Sequence, residues 1–346
     1  MAVPMVRRLK SSMPGARITI LARTDAMAEP FRRLRDVGDV IVANKGGANK
    51  GVRNLFRATR LIRRRGADVF LVPFPSNRWQ YSMLALISGA PRKILHSYPA
   101  GYWRAMGFIG TRVPAVRGLH DVQQNLRLLS ALNIDPGEPQ APSFELQQSD
   151  RDRAAELLAT AGIEAGETFI ALHAGSAPTV LSRAKRWPSR NYARLIEMLS
   201  GDYRFVFLEG PDETGAVDEI MRHAPGSAVK KLKLTGPLGD AAAVLHRAGL
   251  YVGSDSGLAH LAAAVGTRAV TLFAPADPDR VCPFGNRDLV VQSTNPCSPC
   301  FMYPWVTSYP KMRCRAPFCI DGIEVERVMD KVRHAFALIP SPAGRG

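Results

Sequence analysis

Along the 346-residue chain, short apolar runs alternate with segments whose apolar positions recur every three to four residues. That is the pattern of parallel α/β layers, with strands buried on both faces and helices covering them. Arg17–Arg23 (RITILAR) is entered from a Pro-Gly turn and is predicted to be a strand, as are Asp39–Ala43 and Asp68–Val72. A basic helix over Val52–Arg65 runs between the last two, and a helix from about Leu119 to Leu132 closes this half. Residues 134–147 hold three prolines and no helical period, which sets an interdomain linker at 136–148, between domains expected over 1–135 and 149–346. The second half opens with a helix over Ser149–Ala161, for which Ser149 and Asp152 form a capping pair. Strands follow at Thr168–His173, Arg204–Leu208, Leu250–Gly253 and Ala269–Phe273, each leading through a loop into a helix. The fold class expected is α/β, with two Rossmann-like domains facing a cleft and the C-terminal helix packing back on the N-terminal domain.

The N-terminal half departs from this scheme at its start. Met1–Met13 already has the pattern of a helix, whereas a Rossmann-like sheet opens with a strand and a Gly-containing loop. The N-terminal domain is therefore expected to lack its first strand, the start being truncated.

Composition narrows the class. Hydrophobic residues make up 46% and charged residues 22% of the chain, which excludes long disorder. No stretch reaches the roughly 18 uncharged apolar residues of a membrane span. Arg7, Arg8 and Lys10 follow too few apolar residues to leave the apolar core of a signal peptide, so a cytoplasmic location is expected. The net charge of +16 fits anionic partners: a phosphorylated lipid, a nucleotide or the surface of the inner membrane. No zinc-finger, RRM-like or helix-turn-helix pattern accompanies it, so nucleic acid is not expected as a partner.

The most informative segment is Tyr251–Leu261, YVGSDSGLAHL. An apolar strand ends in Ser254-Asp255-Ser256-Gly257, and a helix runs over Leu258–Val265. The unpaired N–H groups and partial positive charge of a helix N-terminus form a natural seat for a diphosphate. Ser256 is placed to cap the helix, and Gly257 lets a phosphate approach the backbone. Alone, S-D-S-G is equally an ordinary N-cap. Two further strand-loop-helix corners accompany it at the same sheet edge: Leu172–Pro188 (LHAGSAPTVLSRAKRWP), with Ser176 and Lys185, and Leu208–Thr214 (LEGPDET). Together they describe a nucleotide-diphosphate site where ligands of open α/β sheets bind.

The succession H-A-G-S, K-R-W-P, L-E-G-P-D-E, L-T-G and G-S-D-S-G-L-A-H-L-A-A-A-V-G, with His120–Leu129 (HDVQQNLRLL) before it, resembles glycosyltransferase family 9, the bacterial lipopolysaccharide heptosyltransferases. The resemblance runs from residue 1 to about 335. It implies an inverting transfer of a sugar, heptose from ADP-heptose, onto a lipopolysaccharide-core acceptor, with no cofactor required for catalysis. In it, Ser176 and Lys185 hold the diphosphate, and Lys185 neutralises leaving-group charge. Glu213, or else Asp212, lies near the ribose, Leu234–Gly236 flank the base and Asp255 bonds the donor sugar. Ser256, Gly257 and Leu258 offer N–H groups, and His260 stands behind them as a ligand or a packed side chain. The family's catalytic base is an aspartate in a Gly-Asp loop after the first strand, expected upstream of Met1. A transferase using another nucleotide sugar, and a catalytically silent sugar-nucleotide-binding protein, remain open at this point.

Two other clusters carry chemistry. On the Val52–Arg65 helix, Arg53, Arg57, Arg60 and Arg64 fall within about 60° of one another, with Leu55, Ala58 and Ile62 opposite. They form either a solvated charged face or a receiver for phosphate and carboxylate groups of an anionic, lipid-linked saccharide acceptor. Cys297, Cys300, Cys314 and Cys319 group four of the five cysteines. They are either free thiols in a loop or a tetrahedral structural zinc or iron site. Cys282 stands apart and is expected to be packed.

Overall fold

The computed structural model describes residues 1–43, 51–99, 106–175, 182–210, 215–224, 226, 229–305 and 319–338, with the backbone alone over 51–56 and 182–183. The chain divides into two units, Met1–Glu145 with Met302–Arg313, and Leu146–Phe301 with Cys314–Gly346. The boundary falls inside the proline-rich stretch read as the linker. Among the described residues no helix is long and apolar enough to cross a membrane.

Unit 1 runs α1 (Val3–Ser12), β1 (Thr19–Ala22), α2 (Asp25–Arg32), β2 (Asp39–Val42), α3 (Gly51–Arg65), β3 (Val69–Leu71), α4 (Trp79–Ile87), β4 (Arg92–Ser97), β5 (Thr111–Pro114) and α5 (Asp121–Arg127). Pro4 stands in the first turn of α1, where its missing N–H leaves no bond unmade. Val3 and Val6 of that helix pack on Ile18 and Leu34. All strand pairs are parallel, but they form two ladders, β1-β2 and β3-β4-β5. In the doubly wound order 3-2-1-4-5-6, β2 and β1 take the third and second places, and β3, β4 and β5 the fourth to sixth. The first strand has no counterpart among the described residues, and the sheet is split at that place. α5 then locks the far end. His120 Nδ1 accepts the Val122 N–H (3.2 Å), Gln123 Oε1 accepts the His120 N–H (3.0 Å), and buried Asn125 takes the Phe74 N–H on its side-chain oxygen (2.8 Å).

Unit 2 runs α6 (Gln148–Thr160), β6 (Phe169–His173), α7 (Ser182–Lys185), α8 (Ser189–Leu199), β7 (Arg204–Glu209), α9 (Ala216–His223), β8 (Val229–Lys233), α10 (Leu238–Arg247), β9 (Leu250–Ser254), α11 (Gly257–Ala264), β10 (Ala269–Phe273), α12 (Pro278–Val281), β11 (Val290–Gln292) and α13 (Val325–Ala337). Its six parallel strands lie in the order β8-β7-β6-β9-β10-β11, the complete doubly wound arrangement. The switch in strand order falls between β6 and β9. Every residue of β6, β9 and β10 is buried, as expected of central strands covered on both faces.

Two sequence expectations change here. Helix α6 is not capped by Ser149 and Asp152: the Gln147 N–H donates to Asp150 Oδ2 (2.8 Å), while Asp152 accepts from Gln148. The final helix, expected on the N-terminal half, packs on unit 2's own sheet. Its stripe of Val325, Val328, Val332 and Ala335 joins the core formed with α8, α9 and the central strands, because those positions recur on one helical face.

Candidate active site at the strand switch

The switch point brings together the ends of β6 and β9 and the start of α11. β9 can close tightly because position 253 is glycine. A Cβ there would lie 2.5 Å from the Tyr251 hydroxyl oxygen and 2.8 Å from the His173 carbonyl oxygen. Tyr251 thus lies forward along its own strand, and its hydroxyl meets Ser256 Oγ at 3.2 Å. Ser256 Oγ is also 3.3 Å from Nδ1 of His173, the last residue of β6. The His173 carbonyl in turn accepts from the buried Tyr192 hydroxyl (3.1 Å).

This network corrects one expectation. Ser256 occupies the N-cap position of α11 in an extended conformation (φ −148°, ψ 168°), yet its side chain does not cap the helix. The hydroxyl is drawn instead to His173 and Tyr251. The first N–H groups of α11 therefore have no side-chain cap, and a Cβ at Gly257 would meet nothing within 4 Å. An anion at one helix mouth gains about 1 kcal/mol at the surface and about 2 kcal/mol when half-buried. That alone is too little to hold a diphosphate, and a second charge is needed.

Lys185 supplies that charge. It ends α7 and is held by the next turn of chain. The buried Trp187 donates Nε1–H to the Ile323 carbonyl (2.9 Å) and packs edge-on against Tyr192 with ring centroids 4.9 Å apart. Lys185 Nζ forms an ion pair with Asp255, the residue between β9 and Ser256. The two side chains are only 22% and 12% exposed, so the pair is held close to the open helix mouth with little water around it. In this arrangement the lysine is neutralised by Asp255, the residue directly before the N-cap of α11.

Of the predicted donor residues, Lys185, Asp255, Ser256, Gly257 and Leu258 therefore converge at one corner. His260 lies half-buried in the first turns of α11. Ser176 and Glu213 lie outside the described residues. His173 and Tyr251 were not predicted as site residues. The signal for His173 was a lone polar side chain closing an otherwise apolar strand at the switch point. Glu209 is a further carboxylate at this sheet edge: it ends β7 with 5% exposure, and Lys231 Nζ is 3.9 Å away.

In unit 1, Arg57, Arg60 and Arg64 are exposed on α3 and Ala58 and Ile62 are buried beneath them, as the periodicity requires. The Arg53 side chain lies outside the described residues. Thr59, Arg60, Arg63 and Arg64 line an open groove of about 400 Å³. Among the described residues, Arg57, Arg60 and Arg64 have no acidic partner, whereas Arg65 pairs with Asp39 (2.5 Å).

Cys297 is exposed, Cys300 half-buried and Cys319 buried. Cys314 lies outside the described residues, and among the described ones no three His, Cys, Asp or Glu side chains gather as metal ligands. Cys282 is packed with Phe273, Ala276 and Val290, and burial pushes its thiol up to about 11.

The sequence model of glycosyltransferase family 9 (heptosyltransferase) matches residues 57–308. Lipopolysaccharide heptosyltransferase 3 of Escherichia coli is 26% identical over 290 residues, covering 80% of each chain. The crystal structure of a family 9 glycosyl transferase from Veillonella parvula superposes with a TM-score of 0.79 at 20% identity, covering 97% of this chain and 93% of the other. An E. coli heptosyltransferase with ADP-2-deoxy-2-fluoro heptose gives a TM-score of 0.65 at 16% identity, covering 96% and 94%.

Proposed function

The chain belongs to glycosyltransferase family 9, the heptosyltransferase family, and we propose that it moves heptose from ADP-heptose onto an anionic, lipid-linked saccharide acceptor in lipopolysaccharide-core assembly. The observation that carries this reading is the Lys185–Asp255 pair beside the uncapped N-terminus of α11. Its support from relatives is the lipopolysaccharide heptosyltransferase of E. coli and the neighbour holding an ADP-linked sugar.

The acceptor hydroxyl oxygen bonds to C1 of the sugar while the bond from C1 to the diphosphate oxygen breaks, inverting the anomeric centre. The leaving ADP gains negative charge as it departs. The N–H groups of Gly257 and Leu258, with Lys185, meet that charge in a half-buried setting where such contacts act strongly. Diphosphate binding draws Lys185 towards phosphate and frees the Asp255 carboxylate for the sugar hydroxyls. Ser256, fixed by His173 and Tyr251, holds the turn in which these groups sit. Ser176 and Glu213 complete the donor contacts in this proposal, and His260 buttresses the helix. The proton of the attacking hydroxyl passes to a base. The resemblance puts that base in a Gly-Asp loop after a first strand, and none of the described residues is assigned the role.

On the acceptor side, Arg53, Arg57, Arg60 and Arg64 receive the phosphate or carboxylate groups of the core saccharide. Catalysis needs no cofactor. A structural zinc or iron ion held by Cys297, Cys300, Cys314 and Cys319 belongs to the same proposal, and elemental analysis of the purified protein tests it.

Calorimetric titration with ADP and ADP-heptose tests the donor half without requiring turnover. The parent chain is expected to bind both, and Lys185→Ala to weaken ADP by about tenfold or more, as for loss of a charge-assisted contact. A folded parent that binds neither ligand ends the proposal.

A further inference from the structure

Ser256 is of the residue type that caps helices and has the extended backbone of a cap, yet it makes no cap bond. A serine at this position ordinarily accepts the N–H of the second or third helical residue, here Leu258 or Ala259, and shifts the folding equilibrium by about fivefold. Forgoing that bond costs the helix stability, so a competing arrangement must hold the hydroxyl away.

The hold is built into the strand pairing. β6 and β9 lie in register with His173 opposite Gly253. Tyr251 and Gly253, two positions apart on β9, share one face of the sheet. Because position 253 carries no Cβ, the Tyr251 ring passes over it. A Cβ there would lie 2.9 Å from the Tyr251 Cζ and 2.5 Å from its hydroxyl oxygen. The phenol thereby reaches Ser256 Oγ at 3.2 Å, and His173 Nδ1 stands 3.3 Å from the same oxygen. Tyr251 is fully buried and His173 is 4% exposed. The His173 carbonyl is tied in turn to the Tyr192 hydroxyl of α8 (3.1 Å). Two anchored partners on neighbouring strands thus compete with the helix for a single hydroxyl.

We infer that Tyr251, together with His173, is a positioning residue for donor binding: it holds the Ser256 hydroxyl off α11 and so keeps the first N–H groups of the helix open to the diphosphate. Released, the hydroxyl turns about its Cα–Cβ bond onto the Leu258 or Ala259 N–H. It then occupies a donor that the diphosphate needs and places an oxygen lone pair beside the incoming anion. This role rests on the donor reading of the corner, and it assigns a part in binding to a buried side chain that acts only through another. A phenol present merely to satisfy its own hydrogen bond would act on stability alone. A double-mutant cycle separates the two roles.

The test uses the full chain with Tyr251→Phe, Ser256→Ala and both together. Amide exchange at Leu258 and Ala259 is followed without ligand, and ADP affinity is measured by calorimetry. A cap favoured about fivefold leaves about one molecule in six open. Tyr251→Phe is therefore expected to slow exchange at one of the two amides and to weaken ADP, each by about three- to sixfold, the lower figure applying where His173 retains part of its hold. In the Ser256→Ala background the same substitution is expected to move neither readout by more than about twofold. If Tyr251→Phe abolishes the cooperative urea transition, His173→Leu removes the other partner and is expected to give the same two changes, again only where Ser256 is retained. ADP affinity that falls equally in both backgrounds overturns the inference. So does exchange at both amides no slower in folded Tyr251→Phe than in the parent. Parent protein that binds no ADP ends the donor reading and this role with it, whereas slowed exchange with unchanged ADP affinity overturns this role alone.

Discussion

Gly253 and Gly257 are four positions apart and are glycine for different reasons. The first leaves room for Tyr251 and the His173 carbonyl; the second faces open space. Gly253→Ala is expected to cost unit 2 about 1–3 kcal/mol by overpacking, seen as a lower urea midpoint together with weaker ADP binding. Gly257→Ala is expected to leave the melt unchanged or raise it by up to about 1 kcal/mol, the advantage of alanine over glycine in a helix. It should still weaken ADP, because its methyl group stands where the proposed diphosphate approaches. Equal effects of both substitutions on stability would contradict this division. A third residue sets a pH dependence. His96 is 2% exposed on β4, with Nδ1 at 3.2 Å from the Val113 carbonyl, and burial lowers its pKa to about 4. Unfolded histidine titrates near 6.5, so between these values the unfolded chain binds the extra proton and stability rises with pH. Unit 1 is expected to lose about 2 kcal/mol between pH 7.5 and pH 5. A His96→Gln variant that loses just as much in chemical melts would disprove that source. At this scale the sequence was readable where a residue sits in an ordered run: Lys185 before Trp187-Pro188, and Asp255 before Ser256-Gly257. It was not readable where function depends on a partner far along the chain. His173 and Ser256 are 83 positions apart, and only the adjacency of β6 and β9 brings them together.

Among elements, the strands at the heart of unit 2 were the most legible, because burial on both faces turns them into unbroken apolar runs. β10 matches its predicted range, and β6, β7 and β9 each differ by one residue. Helix α3 was equally plain, since its arginines and apolar residues separate onto opposite faces. The elements missed have physical reasons for being obscure. Helix α4 lacks a polar face and so lacks a period to detect, and β5 (TRVP) buries only Val113. The helix caps were misassigned at Ser149 and Ser256 because a hydroxyl at the right position can be outcompeted, here by Gln147 with Asp150 and by His173 with Tyr251. Sheet pairing also predicts dynamics. β6 is paired on both sides, by β7 and β9, whereas β1 and β3 each have one ladder partner among the described residues. Amide exchange at Ile170 and Ala171 is expected to be slower than at Ile20 and Phe70 by about a hundredfold or more, since local opening frees edge strands first. Comparable protection at all four would show that both unit 1 strands have second partners in solution.

At the scale of the whole molecule, charge and chemistry divide between the units. The proposed donor corner lies in the unit with balanced charge, and the arginine stripe lies in the unit that holds the entire excess. Ionic strength should therefore act unevenly in steady-state kinetics of the catalytically competent protein. Raising salt from about 0.05 to 0.2 M is expected to raise the KM for a water-soluble, delipidated anionic acceptor several-fold, while the KM for ADP-heptose changes less than twofold. Arg57→Ala with Arg60→Ala is expected to raise the acceptor KM and flatten its salt dependence. An acceptor KM unmoved by both treatments would remove the stripe from the acceptor path. The split N-terminal sheet has a different consequence. Among the described residues, β1 and β3 each have one side without a ladder partner, and such a side offers amide and carbonyl groups to any extended peptide that reaches it; in a concentrated preparation the most abundant such peptide belongs to another copy of this protein. Mutual repulsion between strongly cationic halves keeps those copies apart in dilute buffer. Adding salt removes that barrier, so light scattering should grow with ionic strength, and a protein whose formal charge promises solubility would keep best at low salt.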